Sequence, residues 1–349
     1  MTPPTARRSG LAAASGLALI ALAGLSLGWR AAMLSYLAAW LVLLALPVGA
    51  IPLVIAMERF AGRESGTETA LLAALRRLLA LMPVAGLLAL PVLACLGLLY
   101  PWARGATPAT PLAAIWLTPA FFAARLILFL GAWLWLARRL ARLGGIDARG
   151  AILGIGLHAV VGTLLVTDLV ASLDHRLGSS LMGLLILISW SGLAAAVAVL
   201  LCPAPTEPAR AEIRLILLVV PTALWAFLHF VQFLIVWSAN LPDEVLWYFA
   251  RGGWSGRGLA ILGGGVALLG AVLTLRPGPG TARLLAWPIV ALHAAEMFWF
   301  VTPALRDRFV LAWTDILALA AVLCLAVAAL PVGARLMRPG PAAPGRAAA

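Results

Sequence analysis

The chain contains no lysine. All 25 of its basic residues are arginine, against 13 acidic residues, so a net charge of +12 cannot be tuned by moving pKa values. Charge of either sign is scarce, at 11% of residues, and no stretch between the long apolar runs would make a soluble domain. A soluble basic face of the kind that binds nucleic acid is therefore missing, and no nucleic-acid partner is expected. Cysteine is nearly absent too. Cys95, Cys202 and Cys324 stand more than 100 residues apart, with no CxxC or CxxCH; this excludes a disulfide framework and covalent haem attachment and leaves them as packing residues.

What the chain has is apolar length. It is 64% hydrophobic, with a mean hydropathy of +1.05, which points to an all-α polytopic membrane protein embedded in a lipid bilayer. Ten runs, each long enough to cross about 30 Å of hydrocarbon as a helix, fall near 11–28, 32–57, 78–100, 119–140, 149–171, 178–202, 212–238, 257–276, 282–303 and 311–335. They form one integral membrane domain over 1–338, and the Pro/Gly/Ala-rich tail 339–349 is expected to be disordered. Arg7-Arg8 before the first run resembles a signal peptide, but the run exceeds a typical signal core and reads as a first transmembrane helix. The N-terminus, the even-numbered loops and the tail hold 17 arginines and the odd-numbered loops 7. By the positive-inside rule both termini face the cytoplasm.

Pro47, Gly49 and Pro52, Pro83 and Pro91, and Gly263-Gly264-Gly265 predict kinks or close helix contacts. On the expected topology the loops 100–118, 172–178 and 239–257 share the outer side, with Tyr100, Trp102, Trp116, Trp237, Trp247, Tyr248 and Trp254 as an interfacial aromatic belt. Within the third of these loops, Asn240 followed by Asp243 reads as an N-cap with an acid in the first turn of a short interfacial helix.

Ionisable residues inside a bilayer cost about 2.5–3.5 kcal/mol each on insertion scales and need a partner, water or a function. Here the intramembrane polar residues are Arg125, His158, Asp168, His229, Gln232, His293, Glu296 and Asp315. Arg125, Asp168, Gln232, Glu296 and Asp315 all lie within about two turns of the outer helix ends. Two readings stay open: a structural ion-pair network around Arg125, or an aqueous half-channel or quinone-head pocket with carboxylates that exchange protons. The inner half has His158 as its main titratable group. The three histidines, single and on separate helices, read as hydrogen-bonded core residues rather than haem ligands, and no metal site is expected.

Five motifs carry a family resemblance: LYPWARG at 99–105, PAFFAARLILFLGAW at 119–133, TDLVASLDH at 167–175, QFLIVWSANLPDEVLWYFARGGW at 232–254 and EMFWFVTPAL at 296–305. In order and spacing they resemble the ActF-type membrane subunit of alternative complex III, a quinol:cytochrome c oxidoreductase, and the related NrfD/polysulfide-reductase membrane proteins. The resemblance spans roughly residues 35–330, and WSxNLPxExxWY is its most specific element. It implies ten helices arranged as two four-helix bundles flanked by the first and last helices, in a bacterial inner membrane. It also implies a subunit without haem or metal of its own, with quinone at or near it. The expected partners are a sister quinol-oxidising membrane subunit and iron–sulfur and c-type haem subunits. Arg125, Asp168, Ser172, Asp174, Asn240, Pro242, Glu244 and Asp315 match the family pattern, with Glu296 where an acid is expected and Asp243 beside Glu244 in the interface motif. One departure stands out: where the family has a His-rich stretch after the second helix, this chain reads AMERFAGRESG, with Met57 and Glu58 in place of histidines. The competing function is a secondary transporter, for which paired bundles and proline-broken helices are also normal.

Overall fold

Apolar runs in a medium without water must satisfy every backbone polar group internally, and this chain does so with helices. The computed structural model describes residues 3–60, 66–106, 110–142, 146–174, 176–205, 208–306 and 308–337, which lie in helices and connecting turns, with no strand among them. The first helices are α1 (Pro3–Leu27), α2 (Trp29–Phe60), α3 (Gly66–Leu79), α4 (Met82–Leu87), α5 (Leu90–Ala94), α6 (Leu96–Leu99), α7 (Pro111–Trp116), α8 (Pro119–Arg142) and α9 (Ala148–Leu169). They are followed by α10 (Met182–Leu201), α11 (Pro208–Ala239), α12 (Pro242–Ala250), α13 (Gly253–Thr274), α14 (Thr281–Val301), α15 (Pro303–Arg306) and α16 (Trp313–Met337). Ten spans among the described residues are long and apolar enough to cross a membrane. The expected tail 339–349 lies outside the described residues.

One bundle is formed by α2, the α3–α6 span, α8 and α9, and a second by α10, α11, α13 and α14. Helices α1 and α16 pack on each other and flank the first bundle along α2. The bundles meet where α2 crosses α10. There the Gly49 Cα stands so close to the Trp190 carbonyl that a Cβ would lie 2.0 Å from its oxygen. Accordingly α2 and α10 are buried over 67% and 72% of their most apolar stretches, against 17% for α1 and α13.

The third span differs from its expected course. Helix begins at Gly66 instead of near 78, because α3 is amphipathic: Leu71, Ala74, Leu75, Leu78 and Leu79 are buried, while Arg76 pairs with Glu58 across the α2–α3 connection. A hydropathy window reads the polar face and misses the buried one. Beyond it, Pro83 and Pro91 sit in the first turns of α4 and α5 and divide the span, as a ring without an N–H must. The triple glycine in α13 produces no break. Instead Gly263 admits the Trp225 indole, 2.7 Å from where its Cβ would stand.

Two other expectations are corrected. Tyr100 and Trp247 do not join an interfacial belt; they are buried at 0% and 3% exposure. The Tyr100 hydroxyl donates to the Leu169 carbonyl, and Trp247 covers Arg251 at 3.5 Å from ring centroid to guanidinium. Trp237 and Trp254 are exposed. Nor is Asn240 an N-cap. It follows α11 with φ of +48°, and Leu241 is the N-cap of α12, extended and without a side-chain cap. Pro242 dictates this, since the residue before proline is driven to extended backbone. Asn240 is left to take the left-handed turn that a short polar side chain tolerates, and its N–H still bonds the Val236 carbonyl at 3.1 Å. Asp243 and Glu244 occupy the first turn of α12.

Candidate functional site

The embedded acids occupy three separate polar clusters. Asp168, near the end of α9, receives Arg125 of α8 through Nε to Oδ2 and Nη2 to Oδ1, each 2.9 Å. Trp116 donates to Oδ1 at 2.7 Å, and its carbonyl accepts from Arg125 Nη1 at 2.8 Å. Trp116 and Phe121 lie 4.0 and 4.4 Å from the guanidinium carbon. Each polar atom of the ion pair has a partner. Ser172 donates to the Asp168 carbonyl at 2.5 Å and accepts from Trp102 at 3.2 Å, locking the turn after α9. A fully paired, bidentate arginine–carboxylate contact of this kind ties helices together.

Asp315, in the first turn of α16, is likewise saturated. Arg306 donates Nη1 to Oδ2 at 2.7 Å and Nη2 to Oδ1 at 2.8 Å. Ser35 donates to Oδ1 at 2.6 Å and the Ala312 N–H to Oδ2 at 2.8 Å. Asp174, in the loop before α10, takes Arg176 on both oxygens at 2.8 Å and Arg251 at 3.3 Å. Burial alone would raise its pKa, but Arg176 and Arg251 outweigh it and hold the carboxyl below its usual value. Gln232 bonds Ser179, which caps the first N–H groups of α10 at Leu181 and Met182. Asp243 is exposed and Glu244 half-buried.

Glu296 is different. Residues three apart share a helix face, so His293 and Glu296 of α14 point together into the second bundle, where α10 contributes Ser189 and α11 contributes Trp225 and His229. Oε1 accepts from Trp225 Nε1 at 2.7 Å and meets His229 Nε2 at 2.6 Å. Oε2 meets His293 Nδ1 at 3.0 Å and a close Ser189 hydroxyl, which itself lies 2.9 Å from His293 Nδ1. Glu296 and His293 are each 1% exposed, while the His229 side chain is 24% exposed. Gly192 on α10 has no Cβ because His293 Nε2 would lie 2.6 Å from it, and that nitrogen is buried without a partner.

His229 and Glu296 form the polar end of a cavity of about 270 Å³ between α11, α13 and α14, otherwise walled by Trp225, Trp299 and the small residues of α13 from Gly256 to Ala267. A carboxylate held between two imidazoles puts three ionisable side chains within hydrogen-bond reach of one another, so a proton passed among them needs little movement of heavy atoms.

The structure therefore brings Arg125 and Asp168 together and leaves Glu296 and Asp315 apart from them. His158 stands elsewhere, at the seam of the bundles. Arg306 and Arg251, which a topology reading assigns to loops, prove to be the partners of Asp315 and Asp174, Arg306 partly buried and Arg251 buried. Ser189, Trp225, His229 and His293 were not singled out as a site. The available signal was the three-residue spacing of His293 and Glu296 on one helix. Among the described residues, no group of three or more His, Cys, Asp or Glu side chains could hold a metal ion. No protein-family model and no curated protein matches the chain.

Proposed function

We propose that this integral membrane protein is a subunit of a respiratory quinol:cytochrome c oxidoreductase of the alternative complex III type, and that His229 and Glu296 take up protons from quinol oxidised at or beside the adjoining groove. The single observation behind this reading is the choice of partners. Asp168 and Asp315 are neutralised by arginines, which do not deprotonate, whereas Glu296 is held by two titratable imidazoles at the end of an apolar, aromatic-walled groove. Oxidation of a quinol to a quinone releases two electrons and two protons. In this reading the protons go to the His229–Glu296 pair, and the electrons to redox centres of the iron–sulfur and c-type haem partners. The motif resemblance supports the same assignment, and the other polar clusters then act as scaffold beside a sister quinol-oxidising subunit.

The arginine asymmetry supports an inner-membrane orientation with both termini cytoplasmic; reporter fusions at Arg142 and Gly252 giving the same side would reject it. For the function, Glu296→Gln and His229→Gln are introduced into the assembled complex, and quinol oxidation and proton release are measured in vesicles. Normal assembly with turnover lowered by about tenfold or more is expected, the usual scale for loss of a general base. Normal assembly with unchanged turnover and proton release would make the cluster structural and remove the proposal.

A further inference from the structure

The groove that ends at His229 and Glu296 has an open edge, and that edge is built differently from the surface on either side. Toward lipid, α11 presents Phe227 and Phe230 and α13 presents Ile261 and Leu268, all bulky and exposed. Between these flanks the groove is bordered by Ala226 of α11 and by Ala260, Gly264 and Ala267 of α13, none of which reaches beyond a methyl group. Ala260 and Gly264 are themselves exposed. The two helices thus leave a mouth on the lipid-facing surface. Gly264 lies at the middle of the 22-residue α13, and a span of that length covers about 30 Å of hydrocarbon. The mouth therefore faces acyl chains at mid-depth, where an ionised solute is costly.

Three glycines of α13 border the groove, for different reasons. A Cβ on Gly256 would lie 2.0 Å from the Arg251 carbonyl oxygen, and one on Gly263 would lie 2.7 Å from the Trp225 indole. Packing demands both. A Cβ on Gly264 would meet nothing within 4 Å, so packing makes no such demand there, and glycine inside a helix costs about 0.5–1 kcal/mol relative to alanine. What the missing side chain leaves is the opening itself. The groove behind it holds about 270 Å³, short of the range of about 300–1,000 Å³ usual for sites that enclose a drug-sized ligand. It accommodates a substituted ring beside Trp225 and Trp299 but not a long tail as well.

We infer that Ala226, Ala260 and Gly264 frame a lateral portal through which the ring of a tailed quinol enters from the hydrocarbon, and in which its tail remains while the ring lies beside His229. The inference rests on the reading of the groove as a quinol site and adds the form of the substrate, a neutral ring bearing one long apolar tail. Each part has its own support. The mid-depth position of the mouth selects a neutral, lipid-soluble molecule. The aromatic walls suit a flat ring, and the small volume keeps the tail outside. Gly264 then sets the width of the portal: a branched side chain there closes the mouth without displacing a packed neighbour.

The test uses the full chain in nanodiscs and a decyl-substituted benzoquinol, kept reduced, that carries a diazirine at the start of its tail. Photolabelling should fall on the peptides that contain Ala226 and Gly264. The same quinol without the diazirine, at ten times its dissociation constant, should lower that labelling about tenfold. Gly264→Leu should lower it comparably. Gly265→Leu should leave it unchanged, since a Cβ there also meets nothing within 4 Å but Gly265 does not border the groove. Labelling confined to other segments, no displacement by the unlabelled quinol, or equal labelling of the two variants would each overturn the inference, and the wild-type labelling decides even if a variant fails to fold. Failure here, with turnover still blocked by Glu296→Gln, would remove the portal and leave the quinol reading. Displaceable labelling at the portal, with turnover unchanged by Glu296→Gln, would remove the proton-acceptor role and leave the portal.

Discussion

Arg125 and Asp168 face each other through two parallel 2.9 Å hydrogen bonds in the interior of the first bundle, and both are at least 95% buried. Removing one partner leaves the other as an uncompensated buried charge. Arg125→Met is therefore expected to destabilise the protein by about 3–5 kcal/mol, and Arg125→Met with Asp168→Leu by clearly less than the sum of the single changes. Thermal unfolding of the detergent-solubilised variants checks this. A single variant that melts with the wild type would mean that the pair contributes nothing.

Asp174 makes stability depend on acid. Its folded-state pKa is held below the unfolded value by Arg176 and Arg251 against the opposing effect of burial. The stabilisation is thus present above the unfolded value of about 3.9 and disappears as pH falls through the lower folded value. In a pH series of unfolding midpoints, Asp174→Asn should lower the plateau above pH 5 and shrink the drop on acidification. An acid limb as steep as that of the wild type would place its origin elsewhere.

Gly49 should tolerate no side chain. Its Cβ would meet the Trp190 carbonyl oxygen at 2.0 Å and carbon at 2.4 Å, backbone atoms that yield only if α2 and α10 separate. Gly49→Ala is expected to cost about 1–3 kcal/mol or more. At Gly264, where nothing lies within 4 Å, alanine should be neutral or add up to about 1 kcal/mol of helix stability. Equal midpoints for the two variants would contradict the close crossing.

Asn240 separates a capping role from a conformational one. At φ of +48°, Asn240→Gly should be neutral or mildly stabilising, while Asn240→Val should cost about 1–2 kcal/mol. Were the side chain a helix cap after all, the Asn240→Ala and Asn240→Val substitutions would have similar effects. Melting curves of the three variants distinguish the cases.

The ten spans were legible in the sequence because crossing length depends on a local run of apolar residues, and nine of the ten lie close to their expected positions. The third was misplaced at its start because Arg76, polar to a hydropathy window, sits on one face of an amphipathic helix whose other face is buried. Asp168 could be read as a partner for Arg125 because both sit at the same depth, but depth alone could not reject Glu296 or Asp315 for the same role.

From the chain alone came the all-helical class, the number of crossings, the side bias of the arginines and the short roll of polar residues within the hydrocarbon. Those follow from transfer free energies that each residue carries wherever it sits. Which polar residue answers which was decided only by the tertiary structure. The rotation of each helix about its axis, set by contacts such as Gly49 on Trp190 and Gly192 on His293, gives Asp168 and Asp315 an arginine each. The same packing leaves Glu296 between two imidazoles and His158 with an unpaired nitrogen at the seam.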